Sequence, residues 1–338
     1  MSLQRAAKLG KLNSPRAARY LSVLTLTLFL LVFAHPHPAQ KEAAPSDEVV
    51  RVSTHLVTIP VFVTDSRGRR ISGLTKGEFE VLDEGTPVET NYFAAGAERV
   101  ALFFLLDASG STRDIITQQR ETALALFSRF GERSRIAVAH FDEQTELSLP
   151  FTTDIGNARA AFRANTLSAR RTAIFDAALA AVRAFKTGEQ QPTERRIVIL
   201  ISDGLDTAST ARASTVIAEA LESGVSFYVI HLPLYAPRDG RLAARRPSRG
   251  VRELAEKTGG QFFSIGDAAS ALDPRAELDL RPVFRAIADD LAGQYVIGYY
   301  ADAAQREARA RRVQIRLTSQ QKRKLRVRQL RDEYTLKR

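Results

Sequence analysis

Six runs of the chain are dominated by apolar residues: 100–106, 136–141, 197–201, 225–230, 261–264 and 295–300. The first is apolar at every position, Val-Ala-Leu-Phe-Phe-Leu-Leu, which predicts a strand covered on both faces in a parallel sheet. Between the runs, apolar residues recur at helical spacing. Leu124, Leu126, Phe127 and Phe130 mark one helix, and Ala173, Ile174, Ala177, Ala178, Ala181, Val182 and Phe185 mark another. Residues 216–221, 251–257 and 283–291 mark three more. This alternation predicts an α/β fold over 96–300, with a doubly wound, mostly parallel sheet and helices on both faces.

The flanks have a different rhythm. After a polar linker at 41–48, short β runs at 49–52, 56–63 and 79–82 are separated by the turns Asp65-Ser66-Arg67-Gly68 and Asp83-Glu84-Gly85-Thr86-Pro87. They predict a β-rich module within 41–95. Within 301–338, residues 313–317 and 324–328 alternate with period two, which predicts a hairpin with one wet, basic face. Each flank is too small for comfort alone, so the two are expected to pack as one β subdomain.

Residues 1–19 carry Arg5, Lys8, Lys11, Arg16 and Arg19 and no acid; the apolar or hydroxyl stretch 20–34 follows, then His35-Pro36-His37-Pro38-Ala39-Gln40. That order reads as a secretory signal over 1–40. The stretch is shorter than the roughly 20 residues of a spanning helix. The expectation is an exported protein, periplasmic or extracellular. An uncleaved anchor holding it at the inner membrane through residues 20–34 is the alternative. The chain has no cysteine, which excludes disulfides, lipidation at Cys and thiolate metal sites.

The net charge of +11 is unevenly spread. Residues 301–338 hold thirteen Lys and Arg against four acids, and 237–252 hold six Arg against Asp239. Without these and the N-terminal 40 residues, the remaining body is net acidic. In an exported protein this pattern argues against nucleic acid and for acidic partners or anionic envelope surfaces. Ordinary solvated charge is the plainer reading.

The candidate chemistry sits where the apolar runs end. Ligands of a doubly wound sheet bind at the carboxyl ends of the strands, near the switch point. After 100–106 come Asp107-Ala108-Ser109-Gly110-Ser111, and after 197–201 come Ser202-Asp203-Gly204. Thr172 precedes the Ala-rich helix, placed as its N-cap. Asp107, Ser109, Ser111, Thr172 and Asp203 are thus expected on one edge from three loops. Hard oxygen donors suit Mg²⁺, Mn²⁺ or Ca²⁺ and offer nothing that zinc or copper prefers. Singly each has a duller reading, since Ser, Thr and Asp crowd turns and caps. Their convergence is the argument.

Asp107-x-Ser109-x-Ser111, Thr172-Ala-Ile-Phe-Asp176 and Ile201-Ser202-Asp203-Gly204 resemble the metal-ion-dependent adhesion site of von Willebrand factor type A domains. The resemblance covers roughly 96–300. Residues 73–85, 254–260 and 294–300 are similar to flanking phrases of exported bacterial proteins related to that family. What the resemblance implies is a Mg²⁺ held by the hydroxyls of Ser109, Ser111 and Thr172, with Asp107 and Asp203 acting directly or through water. It further implies a protein ligand that presents Asp or Glu to the ion.

Two features depart from the family pattern. Arg170 and Arg171 stand just before Thr172, where small residues are usual. Two cations there weaken metal binding and attract an acidic ligand, which makes both candidate partner contacts. The basic insertion at 235–250 reads as a mobile surface loop, either merely tolerated or a partner contact.

Enzyme readings fit less well. A haloacid-type phosphatase needs a second Asp where Ser109 stands, and Gly110-Ser111-Thr112 lacks the Lys of a P-loop. No Gly-x-Ser-x-Gly surrounds Ser109 or Ser111, and no His is evident as a general base. The expected function is a non-enzymatic, Mg²⁺-dependent adhesion or scaffold module. A metal-dependent hydrolase or phosphatase, and a structural envelope protein without functional metal, are the rivals.

Overall fold

The computed structural model describes residues 55–96, 99–108, 110–130, 132–163, 171–187, 194–272, 278–301, 310–318 and 324–335. The expected signal, the 20–34 stretch, Ser109 and Arg170 lie outside them, and of Ser111 only the backbone is described.

The described chain begins with β1 (His55–Thr64), a single 3₁₀ turn at Lys76–Glu78, then β2 (Phe79–Asp83), β3 (Thr86–Val88) and β4 (Tyr92–Ala95). The α/β part opens on β5 (Val100–Asp107), α1 (Gly110–Gln118), α2 (Arg120–Phe127), β6 (Arg135–Phe141), β7 (Thr145–Thr152) and α3 (Ile155–Ala161). It continues through α4 (Ile174–Ala184), β8 (Arg195–Ser202), α5 (Ala213–Ser223) and β9 (Val225–His231). A small hairpin, β10 (Tyr235–Arg238) and β11 (Arg241–Ala244), leads to α6 (Val251–Lys257), β12 (Phe262–Ser264), α7 (Ala268–Leu272) and α8 (Arg281–Ala292). The last strands are β13 (Gln294–Ala301), β14 (Arg311–Leu317), β15 (Arg326–Gln329) and β16 (Glu333–Tyr334).

The central sheet runs β12–β9–β8–β5–β6–β7, parallel throughout except for the edge strand β7. β5 is buried at all positions because helices cover both its faces. Leu102, Phe104 and Leu106 face α1, α2, α3 and α8; Ala101, Phe103 and Leu105 face α4, α5 and α6. From β5 the chain steps to β6 on one side and returns to β8, β9 and β12 on the other. The switch point therefore lies between the carboxyl ends of β5 and β8.

Strands from both flanks form two four-stranded antiparallel sheets, β15–β1–β13–β4 and β16–β14–β2–β3. Alternate residues of both sheets, including Ile59, Val61, Val81, Tyr295, Ile297, Tyr299, Val313 and Ile315, share one core. Asp83 pins the second sheet: it accepts hydrogen bonds from Arg311 (3.3 and 3.1 Å) and from the Tyr334 hydroxyl (2.9 Å).

Two expectations change, and one strand has no counterpart among the predicted runs. The run 295–300 belongs to this sandwich and not to the parallel sheet: β13 lies antiparallel between β1 and β4. A central antiparallel strand covered on both faces is as continuously apolar as a parallel one, so the pattern alone does not separate them. The expected hairpin is not one, because β14 pairs with β2 while β15 pairs with β1 in the other sheet. Alternation fixes which side chains face inward, not which strand is the partner. Finally, β7 falls outside the predicted runs: Leu147, Leu149 and Phe151 alternate along it, but Pro150 interrupts them and the strand is mostly exposed at the sheet's edge.

Candidate metal centre

Asp107 ends β5 with no exposed surface. Its Oδ2 accepts a hydrogen bond from Ser202 Oγ (2.7 Å), the last residue of the neighbouring strand β8. Ser202 Oγ in turn accepts from Gly204 N–H (3.0 Å), and Thr112 in α1 donates to the Asp107 carbonyl (2.8 Å). These bonds fix the Asp107 carboxylate against the turn that carries Asp203. Asp203 is itself buried, with Oδ1 accepting from Leu205 N–H (2.8 Å).

Burial raises the Asp203 carboxyl above its ordinary range. The Leu205 N–H opposes that shift, the nearby charge of Asp107 adds to it, and Arg245 opposes it again. Two carboxylates thus stand close together in a desolvated site.

The turn tolerates only glycine at 204. Its φ is +78°, and a Cβ there would lie 2.8 Å from His231 Cδ2 and from Pro247 Cβ. His231 ends β9 in register with Ser202, so a histidine does reach this edge, contrary to the sequence reading. It is buried, with Nδ1 3.2 Å from Ser264 Oγ and its ring 5.5 Å from that of Phe262. Burial lowers its pKa, so the neutral ring serves as packing under Gly204.

Thr172 is buried just before α4, but it does not cap the helix. Ala173 takes the N-cap position, and the first helical amides are satisfied from a distant loop. Ile174 N–H donates to Asp206 Oδ1 (2.8 Å), while Phe175 and Asp176 N–H donate to Ser209 Oγ (2.9 and 3.2 Å). Thr172 is held by its backbone: its N–H donates to Thr207 Oγ1 (2.8 Å), and its carbonyl accepts from Thr207 and Ala208 N–H (2.8 and 3.0 Å). Asp176 completes the seam by accepting from Thr210 and Ala211 N–H (2.9 and 2.7 Å). The Thr172 hydroxyl is therefore not used as a cap, and the segment before α4 is tied to the loop that follows Asp203.

Asp107, Thr172 and Asp203 thus lie on the same sheet edge, and Ser111 lies in the first turn of α1 beyond β5. Arg171 is exposed and donates to the Thr207 carbonyl (3.1 Å), with Glu143 3.9 Å away. Sequence reasoning missed Ser202, Asp206 and Ser209. The spacing Asp206-x-x-Ser209, a pair of small oxygen acceptors, is the signal that could have found the last two. It also took 235–250 for a mobile loop, whereas β10 and β11 pair in full register.

A model of the von Willebrand factor type A domain matches residues 101–275, from β5 through α7. The chain belongs to that family. Its domains in general mediate metal-dependent protein interactions, often bind a divalent metal, and are not enzymes as a rule. No curated protein matches this chain in sequence. Among solved structures, the conserved hypothetical protein BatB from Bacteroides thetaiotaomicron is 20% identical, with a TM-score of 0.43 over 57% of this chain and 97% of its own. An aerotolerance-related membrane protein from Bacteroides fragilis is 22% identical, with a TM-score of 0.41 over 57% and 98%. Proximal thread matrix protein 1 of mussel byssus, with a zinc-occupied MIDAS motif, is 14% identical, with a TM-score of 0.45 over 59% and 50%.

Among the described residues no helix is long and apolar enough to cross a membrane, and no three His, Cys, Asp or Glu side chains gather as a metal cluster. A metal at this edge would need hydroxyl oxygens beside Asp107 and Asp203.

Proposed function

We propose that this chain is an exported, metal-dependent protein-binding module, adhesive or scaffolding in kind, that takes an Asp or Glu carboxylate of a protein partner. Asp107, Ser109, Ser111, Thr172 and Asp203 would hold Mg²⁺, with Mn²⁺ or Ca²⁺ as substitutes. The observation that supports this most is the pair Asp107 and Asp203. Both are buried at the switch point, and burial with the charge of Asp107 raises Asp203. A divalent cation relieves that desolvated like-charge pair directly.

The rest of the donor set fits the same ion. Mg²⁺ takes oxygen ligands and keeps waters readily. When bound, it supplies a Lewis-acidic position that an incoming carboxylate fills. Neutral hydroxyls leave it under-neutralised, which favours an anionic ligand from outside. Ser202 contributes by orienting Asp107, and Asp206 with Ser209 by holding the end of α4 beside Thr172. Export rests on the basic, apolar and Pro-rich order of residues 1–40.

Calorimetric titration of Mg²⁺ and Mn²⁺ into the purified protein, beside Asp107→Ala, tests the site. The expected result is one saturable site in the wild type and none in the variant. Unchanged binding in Asp107→Ala would remove the assignment, and turnover of ester or phosphoester substrates would replace adhesion by hydrolysis.

A further inference from the structure

We infer that the basic hairpin and its return, 235–249, form a second half of this site: they select a partner segment bearing several carboxylates, an acidic tract, over one isolated Asp or Glu. The inference rests on the proposed reading that a partner carboxylate completes the shell of a bound metal.

The hairpin is held at both feet. Tyr235 Oη donates to the Gly266 carbonyl (2.9 Å), and Arg245 N–H donates to the Leu234 carbonyl (2.7 Å). The segment 245–249 that follows β11 then runs along the loop that carries Asp203. Ser248 N–H donates to the Gly204 carbonyl (2.8 Å), and Ser248 Oγ accepts from Asp206 N–H (2.9 Å). Pro247 closes on Gly204, as the space around that glycine requires. Arg245 is near enough for its charge to act on the Asp203 carboxyl.

Most of the positive charge here is uncommitted. Arg238 faces Asp239 at 3.8 Å and Arg252 faces Glu256 at 3.6 Å, but Arg241, Arg245, Arg246 and Arg249 form no ion pair with any described residue. All four are exposed. Arg171 stands over Thr207 of the same loop. Exposed charges taken singly contribute little and are screened by salt. Several fixed around one edge act together, raising the local concentration of an oppositely charged ligand. Guanidinium is weakly hydrated and matches carboxylate geometry, so it suits this use better than Lys. A backbone already ordered lowers the entropy lost on binding. A lone carboxylate on the metal would leave these arginines idle; a tract engages both.

The test compares two labelled peptides by fluorescence anisotropy with the purified protein in Mg²⁺, across a NaCl series. One peptide carries a run of glutamates, and the other a single Glu among Ser and Gly. The wild type is expected to prefer the run by about tenfold at low salt, with the preference shrinking as salt rises. The variant R241Q/R246Q/R249Q, which leaves Arg245 beside Asp203 in place, should lose most of that preference while still binding Mn²⁺ and the single-Glu peptide. Equal affinity of the wild type for both peptides overturns the inference, whatever the variant does. A preference undiminished in the variant, or unchanged in EDTA, overturns it too. If neither peptide binds the metal-loaded wild type, the carboxylate reading itself has failed, and this inference falls with it.

Discussion

Asp203 is the residue at which folding and binding pull in opposite directions. Its carboxyl is buried near Asp107, so its pKa is raised in the folded chain. A raised carboxyl contributes stability that is complete below its ordinary value and is lost as pH climbs through the folded value. At neutral pH the metal-free protein therefore holds a charge it would be more stable without. Asp203→Asn keeps the shape and removes the charge. The variant should melt a few degrees above the wild type at pH 7 without metal, and this gain should shrink on acidification. Adding Mg²⁺ should raise the melting temperature of the wild type and leave the variant unmoved. Thermal denaturation across pH with and without metal checks all three, and a variant that melts lower at pH 7 in EDTA would contradict the account. Asp107 makes a weaker test of the same conflict, because it already accepts from Ser202 and its loss breaks that bond as well.

At the scale of elements, the edge is assembled by loops that cap one another. The first turn of α4 leaves amides that its own sequence does not satisfy, and Asp206 and Ser209 satisfy them from the far side of β8. Asp206→Ala should cost about 1–2 kcal/mol, as the loss of a helix cap does. Because that bond also holds the segment bearing Thr172, Mn²⁺ affinity should fall about 10- to 100-fold, the range seen when a group orienting a metal ligand is removed. Calorimetry of the folded variant measures this; unchanged affinity would mean that Thr172 is positioned without it. This cross-capping marks a limit of reading by pattern. Asp107 and Asp203 are legible because continuous apolar runs stop abruptly at them. The burial of β5, β8 and β9 follows equally from those runs. Thr172 was visible as a position, but its role as a cap was misread: the true capping residues lie more than 30 positions away, and local spacing carries no trace of them. β7 differs: Leu147, Leu149 and Phe151 alternate along it, but Pro150 interrupts the run and most of the strand is exposed, as an edge strand allows.

For the whole molecule, the informative join is between the sandwich and the α/β layers. The pattern located both but divided them wrongly at 295–300, because β13 grows straight out of α8 with only Gly293 between. Asp290, near the end of α8 and 2% exposed, gathers donors from both parts. From the flank, Arg70 donates through Nε and Nη2 (2.5 and 3.2 Å), and Gln294 donates at 3.3 Å. From the α/β side come the Tyr228 hydroxyl and Gln261 Nε2, each at 2.6 Å. A second clasp lies beside it: the buried Arg195, at the start of β8, donates to the Leu291 carbonyl (3.1 Å) and to the Gln294 carbonyl and side chain (2.7 and 3.0 Å). Burial lowers that guanidinium to about 10, so it remains charged at neutral pH and keeps all three bonds. Charges spanning the join couple the two parts, because neither can open without exposing groups the other has paired. Calorimetric unfolding of the metal-free protein should therefore show one transition. Asp290→Ala leaves a partly buried guanidinium, a buried hydroxyl and two amides without their shared acceptor, which should cost about 3 kcal/mol, the low end for a broken buried pair. The transition should move down in temperature and stay single, since the Arg195 clasp survives. Two resolved transitions in the wild type would mean that the sandwich and the α/β domain fold independently, and that the ion pair across the join only decorates it.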